Sequence, residues 1–413
     1  MHEGPNVNES KDTSPDNTSG LGRSEMTRRE FLKKLGLLGS GAVTAGIAGR
    51  ALQNEDVKAI ASMLSTQQGR EGLARYANER FHERRNKNEI EEQITLLVKE
   101  FQERYYIRIS FEHNPHLSQE TSTGTALLSE RLRGMQVLQS EFSTYPDWFI
   151  HKLHIPSISL RQNIRTVDEG RESRPAGIRM GTHNALVLDP RTFDITNSLT
   201  ITQEQLNQEL GLTINHELMH AIDPLLRAEP LDGHSTKEEM ERAWLDINQS
   251  NDGGIDYDPE VASILQEQNI RPKGFVRGYG LTDIYEDRAT VFEMLVGHIY
   301  VKQAEEDTVL QEKKQMLART LFLESKGLFV SEYFDERVRE QQLSNTEHRD
   351  KHFRVFFESI RNRMIDQPRD ELAEIYPEFD SIDDATYKAW REFHQNIQYL
   401  TETQDNAKRE DGK

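Results

Sequence analysis

Leu206, Leu210, Ile214, Leu218 and Ile222 recur every four positions, the spacing that keeps side chains on one face of an α-helix. Thr202 with Gln205 reads as a capping box at its start, Pro224 as its stop, and Gly211 as a tolerated weak point or the beginning of its second half. Residues 51–106 otherwise read as helices, with Arg80, Glu83, Arg84, Arg85 and Lys87 a solvated helix or linker. Ile90, Ile94, Leu97, Val98 and Phe101 predict a helix from Glu89 to Phe101, and Tyr105 to Phe111 alternates like a strand. A helical pattern runs from about Gly124 to Phe142 and stops near Pro146. Lys152 to Leu160 and Ala185 to Pro190 are strand candidates, separated by a polar loop from Arg161 to Arg174. From Val291 to about Asn396 the pattern is helical, with Met316, Leu317, Leu321, Phe322 and Leu323 a core helix and breaks at Pro368 and Pro377. The sum is an α+β chain, a small mixed sheet packed on the 206–222 helix, followed by a predominantly helical C-terminal subdomain.

Composition places this pattern in a polar protein with room for a sizeable core: 413 residues, 35% hydrophobic and 29% charged. Net charge is -19, and the first 50 residues contribute +1 from seven basic and six acidic groups, leaving -20 on the remainder. Such a surface argues against nucleic acid and anionic membrane as main partners, since both select basic faces.

The first 25 residues are polar and expected to be disordered, as is the charged tail 402–413. Thr27-Arg28-Arg29-Glu30-Phe31-Leu32-Lys33 and the Gly- and Ala-rich run from Leu35 to Gly49 then resemble a twin-arginine export signal. With 15 residues and five glycines, the run is short for a permanent span of about 20. The expectation is therefore export of the folded chain by the twin-arginine machinery to a periplasmic or extracellular location. No convincing A-x-A cleavage site follows, so membrane contact is expected only through a signal left uncleaved. The chain has no cysteine, which excludes disulfides, a lipobox and thiolate metal ligands. The organisation expected is 1–50 signal region, 51–88 helical linker, 89–340 main domain, 341–401 helical subdomain and 402–413 tail.

On a flank of the 206–222 stripe stand His216 and His220, four apart and so on one helix face, close enough to reach a single metal ion. Glu217 beside the first is placed to take a proton from a metal-activated water, which completes the H-E-x-x-H pattern of zinc hydrolases. His113 with His116, and His151 with His154, also form H-x-x-H pairs, but at strand ends, where surface or turn histidines are expected. His183 is held in reserve as a residue of the site's rim. Residues 183–189 are a candidate for an edge strand that pairs with substrate, with an ordinary sheet strand an equal alternative.

A catalytic zinc needs a third protein ligand. Downstream come Gly274-Phe275-Val276-Arg277-Gly278-Tyr279-Gly280 and then Ile284-Tyr285-Glu286-Asp287-Arg288-Ala289-Thr290-Val291-Phe292-Glu293. With H-E-x-x-H before it, this segment resembles the gluzincin metallopeptidases related to the anthrax lethal factor catalytic domain and to bacterial zinc-binding metallopeptidases. Those carry G-F-V-x-x-Y with a carboxylate ligand seven residues after the tyrosine. The resemblance spans roughly residues 95–335 and implies a zincin-like fold, one Zn2+ per chain held by His216, His220 and Glu286, Glu217 as general base, Tyr279 as the phenol donating to the oxyanion, and a peptide or protein substrate. The chain departs from the family at Thr290, where a second Glu is usual, at Arg288, where an aromatic is usual, and at Gly280, where Ala is common; these changes bear on the support around the metal. Glu293, two turns beyond Glu286, is the alternative ligand.

Three further readings stay open. The segment 226–270, longer than in short family versions, would flank the cleft as a lid; its Asp252-to-Glu260 run lacks calcium-loop spacing and reads as a solvated acidic turn. Glu217-x-x-His220 and Glu79-x-x-His82 would also suit a di-iron carboxylate bundle. A catalytically inactive, zincin-like binding protein is the third.

Overall fold

The computed structural model describes residues 86–111, 121–126, 128–168, 171–173, 177–180, 184–190, 202–228, 237–249, 256–297, 299, 305–340 and 346–411, all within one compact unit, Thr66–Lys413. The twin-arginine motif, Glu79, His82, His113, His116 and His183 lie outside the described residues.

Helix α1 (Lys87–Tyr105) ends where Tyr106 takes a φ of 57° and its N–H returns to the Gln102 carbonyl, a reversal that delivers β1 (Arg108–Ser110). The strand therefore starts later than the alternation from Tyr105 predicts. After it come β2 (Thr121–Thr125), α2 (Leu128–Phe142), α3 (Asp147–Lys152), β3 (Ser157–Asp168), β4 (Arg171–Ser173), β5 (Gly177–Met180) and β6 (Ala185–Leu188). Four strands form a small sheet in the order β1-β3-β6-β5, with β1, β3 and β6 parallel and β5 antiparallel on the edge. Past Leu160, β3 becomes the middle strand of an antiparallel arm between β2 and β4.

Four sequence expectations change here. The helix expected from Gly124 begins at Leu128, because the Thr-Ser-Thr-Gly-Thr run before it joins the arm as β2, where β-branched Thr fits a pleated surface. Lys152 closes a short helix; the strand begins at Ser157, after His154 turns the chain with a φ of 50°. Much of the loop read at 161–174 is β3 and β4, since a polar two-sided arm lacks the apolar alternation that marks a half-buried strand. Finally, β6 is an interior strand paired on both sides, and the edge is β5, whose four residues are too few to show a period.

Helix α4 (Gln203–Ala228) carries the predicted stripe, fully buried, and the capping box forms: Thr202 N–H donates to Gln205 Oε1 at 2.8 Å and Gln205 N–H to Thr202 Oγ1 at 3.2 Å. Pro224 does not stop it. The proline sits exposed inside the helix while Leu226 beyond it is buried, so packing outweighs the roughly 3 kcal/mol cost of a mid-helix proline.

The rest is helical: α5 (Lys237–Gln249), α6 (Pro259–Glu267), a 3-10 turn at Gly278–Leu281, α7 (Ile284–Leu295), α8 (Thr308–Glu324), α9 (Ser331–Glu340), α10 (Thr346–Asp366), α11 (Arg369–Ala373), a 3-10 turn at Pro377–Ser381 and α12 (Asp384–Asp411). One apolar cluster runs from Phe101 through the sheet and α4 to Trp390, so residues 89–340 and 341–401 share a core. The tail expected to be disordered continues α12 as far as Asp411. It is polar, but it is rich in Glu, Gln, Ala, Lys and Arg with neither Pro nor Gly before Gly412, so a helix already nucleated propagates into it. Among the described residues no helix is long and apolar enough to cross a membrane.

Candidate metal centre

Two helices bring the predicted ligands together. On α4, His216 and His220 share a face, His220 Nε2 lying 3.1 Å from His216 Nε2. Opposite them, the Asp283 carboxylate caps α7, accepting from the N–H groups of Tyr285 at 2.7 Å and Glu286 at 2.9 Å, and so fixes Glu286 in the first turn. Glu286 Oε2 then lies 2.8 Å from His216 Nε2 and 3.5 Å from His220 Nε2. One donor atom from each of the three residues falls within 4.8 Å of the others.

Glu293, the alternative ligand, has another place. Its Oε1 lies 2.7 Å from His216 Nδ1, on the side of the ring away from Glu286, and also accepts from Arg277 Nη2 at 2.6 Å. With Nδ1–H donating to Glu293, the ring's Nε2 is left facing the cluster, the arrangement in which a carboxylate orients a ligating histidine. Support expected at position 290 thus comes from one turn further on. Glu293→Ala should weaken zinc binding by about 10- to 100-fold, read by competition with a chelating dye; an unchanged affinity would mean that Glu293 does not orient the ring.

The site's electrostatics favour positive charge at its centre. Burial opposes protonation of His216, but hydrogen bonds to Glu286 and Glu293 outweigh it and lift the imidazole pKa to about 10. Burial would likewise raise the Glu286 carboxyl, yet the two imidazoles hold it well below the usual carboxylate range. Glu217, buried beside them, is pushed up by desolvation. Tyr279 has its ring 5.8 Å from that of His216; burial and the carboxylates of Glu286 and Glu217 push its phenol well up, so it stays a proton donor.

Two neighbours of the site carried no separate signal in the sequence. Arg277 bonds Glu293 and lies 5.6 Å from the Tyr279 ring centre; it sits inside the Gly274–Gly280 block, where its charge two residues before Tyr279 was the available clue. At Gly177 on β5 a Cβ would lie 2.8 Å from Glu217 Oε1 and 2.8 Å from Thr213 Cγ2, so only glycine lets the edge strand run this close to α4.

The departures from the family pattern fit one another. Arg288 is buried and donates to Asp223 on α4 at 2.8 Å, with Trp244 5.3 Å from its guanidinium carbon. The Thr290 hydroxyl donates to the Asp287 carbonyl, and a Cβ at Gly280 would stand 3.0 Å from Thr290 Oγ1. Glycine at 280 makes space for threonine at 290.

The described part of 226–270 packs against α7 and α8. Trp244 Nε1 and Tyr257 OH donate to Asp287 Oδ2 at 2.9 and 2.8 Å, together with Lys313 Nζ at 2.7 Å, a cluster gathered on the residue that follows Glu286. Asp258 accepts from the Glu260 and Val261 N–H groups as the cap of α6. His151 lies 2.9 Å from the Arg104 carbonyl oxygen, and neither His151 nor His154 joins a metal-capable group among the described residues.

No family model and no curated protein matches the chain. Among solved structures, it is similar to one described as "a putative zinc-binding metallo-peptidase from Bacteroides caccae": identity is 16% and the TM-score 0.37, over 63% of this chain and 97% of that one.

Proposed function

We propose that this chain is a zinc metallopeptidase in which His216, His220 and Glu286 hold the metal, Glu217 is the general base and Tyr279 donates to the oxyanion. The observation that carries this reading is convergence: two imidazoles and a carboxylate from α4 and α7 bring their donor atoms within 4.8 Å of one another, with Glu217 adjacent. The donor set fits zinc. It contains no thiolate, it is the His2Glu combination of catalytic sites, and its carboxylates hold positive charge on His216 where a cation would sit.

Bound there, zinc would supply the Lewis acidity that makes water nucleophilic near neutral pH. Glu217 takes the proton of the attacking water and returns it to the leaving amine. Tyr279, protonated and already facing Glu286 and Glu217, donates to the oxygen that gains charge. Edge strand β5, running past Glu217 at Gly177, offers its outer side to an extended peptide as a further strand. Export belongs to the same proposal and rests on the Thr27-to-Gly49 signal.

The test is made on the full chain, zinc-loaded and supplied with an unfolded protein substrate. Cleavage should be abolished by chelation and restored by zinc, Glu286→Ala should lower bound zinc by about one equivalent, and fractionated cells should hold the chain beyond the cytoplasmic membrane. Zinc unaffected by Glu286→Ala would remove the ligand set. Zinc bound without cleavage of any protein or peptide offered would leave a binding protein.

A further inference from the structure

We infer that α9 and α10 carry a second metal site, for a divalent cation of the zinc class, built from Glu336, Glu340, His352 and His348. It shares no residue with the His216 centre. Glu336 and Glu340 are four apart on α9, and His348 and His352 are four apart on α10, so each helix presents two donors on one face. Glu336 Oε2 and His352 Nε2 are 3.0 Å apart, Glu340 Oε2 and His348 Nε2 are 3.9 Å apart, and donor atoms of Glu336, Glu340 and His352 lie within 4.8 Å of one another. Zinc bonds of about 2.0–2.1 Å in a tetrahedron put ligand atoms roughly 3.3 Å apart, so Glu336, Glu340 and His352 close on an ion by side-chain shifts, and His348 swings in from beside Glu340 as the fourth ligand.

The burial of the α9 carboxylates favours such a partner. Two glutamates one turn apart repel, and burying an ionised carboxylate is costly unless it is paired. Glu336 is 7% exposed and is met by His352 and by Arg339 at 2.5 Å. Glu340 is 5% exposed, and its Oε2 is buried with no hydrogen-bond partner. The His348 imidazole, 3.9 Å from that oxygen, stands beyond hydrogen-bond reach. The neighbouring guanidiniums point elsewhere: Arg337 and Arg349 both bond Glu141, at 3.0 and 2.7 Å. An ion pair explains Glu336 but leaves Glu340 unexplained; a cation between the helices satisfies both.

Two carboxylates and two imidazoles select a borderline divalent ion and leave no open position, the character of a structural site. Its role would be to cross-link α9 and α10.

The experiment is a calorimetric titration of metal-free full-length chain with zinc chloride. His216→Ala/His220→Ala, which removes the first centre, should still bind one equivalent, and adding Glu340→Gln and His352→Ala should abolish it. If the His216→Ala/His220→Ala chain keeps the native circular dichroism yet binds no zinc, the second site does not exist. Should that variant fail to fold, Glu340→Gln/His352→Ala in the otherwise native chain decides: a fall of one equivalent supports the site and an unchanged stoichiometry overturns it. Because the two centres are removed separately, failure of one reading leaves the other standing.

Discussion

Glu217→Gln should leave the chain folded and its zinc in place while slowing peptide hydrolysis by about 10²- to 10⁴-fold, the usual cost of deleting a general base. Glutamine keeps the size and shape of the side chain, which matters because Glu217 is buried against β5, its Oε1 2.8 Å from where a Cβ at Gly177 would stand. The substitution also removes a carboxylate from a site that already contains Glu286 and Glu293, so it does not strip the centre of the negative field that holds a cation. What it removes is the proton acceptor. Measured together, zinc content and turnover separate the two roles: metal kept and rate lost is the expected pair. Full turnover in the variant would take Glu217 out of the mechanism.

Helix α4 was legible because three local signals agree on it: an apolar stripe of period four, a reciprocal cap at Thr202 and Gln205, and two histidines on a flank of that stripe. Such signals are written within a few residues and survive folding unchanged. Glu286 was legible only through a resemblance, since its distance from His216 is set by how α7 crosses α4, which no periodicity records. The contact of Glu293 with His216 was hidden for the same reason. Spacing along α7 placed it on the face of Glu286, but only the crossing of the helices decides that it meets His216 from the other side, at Nδ1. The apolar segment β6 stood out as an edge candidate, with an ordinary sheet strand the equal alternative, because apolar runs are conspicuous. They are conspicuous because they are buried, and β6 is paired on both flanks. A true edge is short and half polar, so β5 left almost no trace.

Arg288→Met should destabilise the chain by about 3–5 kcal/mol, seen as a lower urea midpoint, because it breaks a buried ion pair by removing one of its two charges. Arg288 is fully buried, Asp223 is 3% exposed, and their contact of 2.8 Å joins α7 to α4. The pair sits two residues beyond Glu286 on one helix and three beyond His220 on the other, so its loss should also loosen the metal centre and reduce zinc affinity. Yet the pair is not an efficient source of stability. Arg288 Nε and Nη2 are buried without hydrogen-bond partners, and both charges have left water. Arg288→Met/Asp223→Leu, which removes both charges and keeps much of the volume, should therefore recover most of the lost stability, since apolar replacement of a buried ion pair is often neutral or better. If the double variant is as unstable as the single one, the arginine acts through packing against Trp244. If it recovers, the unusual arginine at 288 is explained by its ion pair with Asp223 on α4.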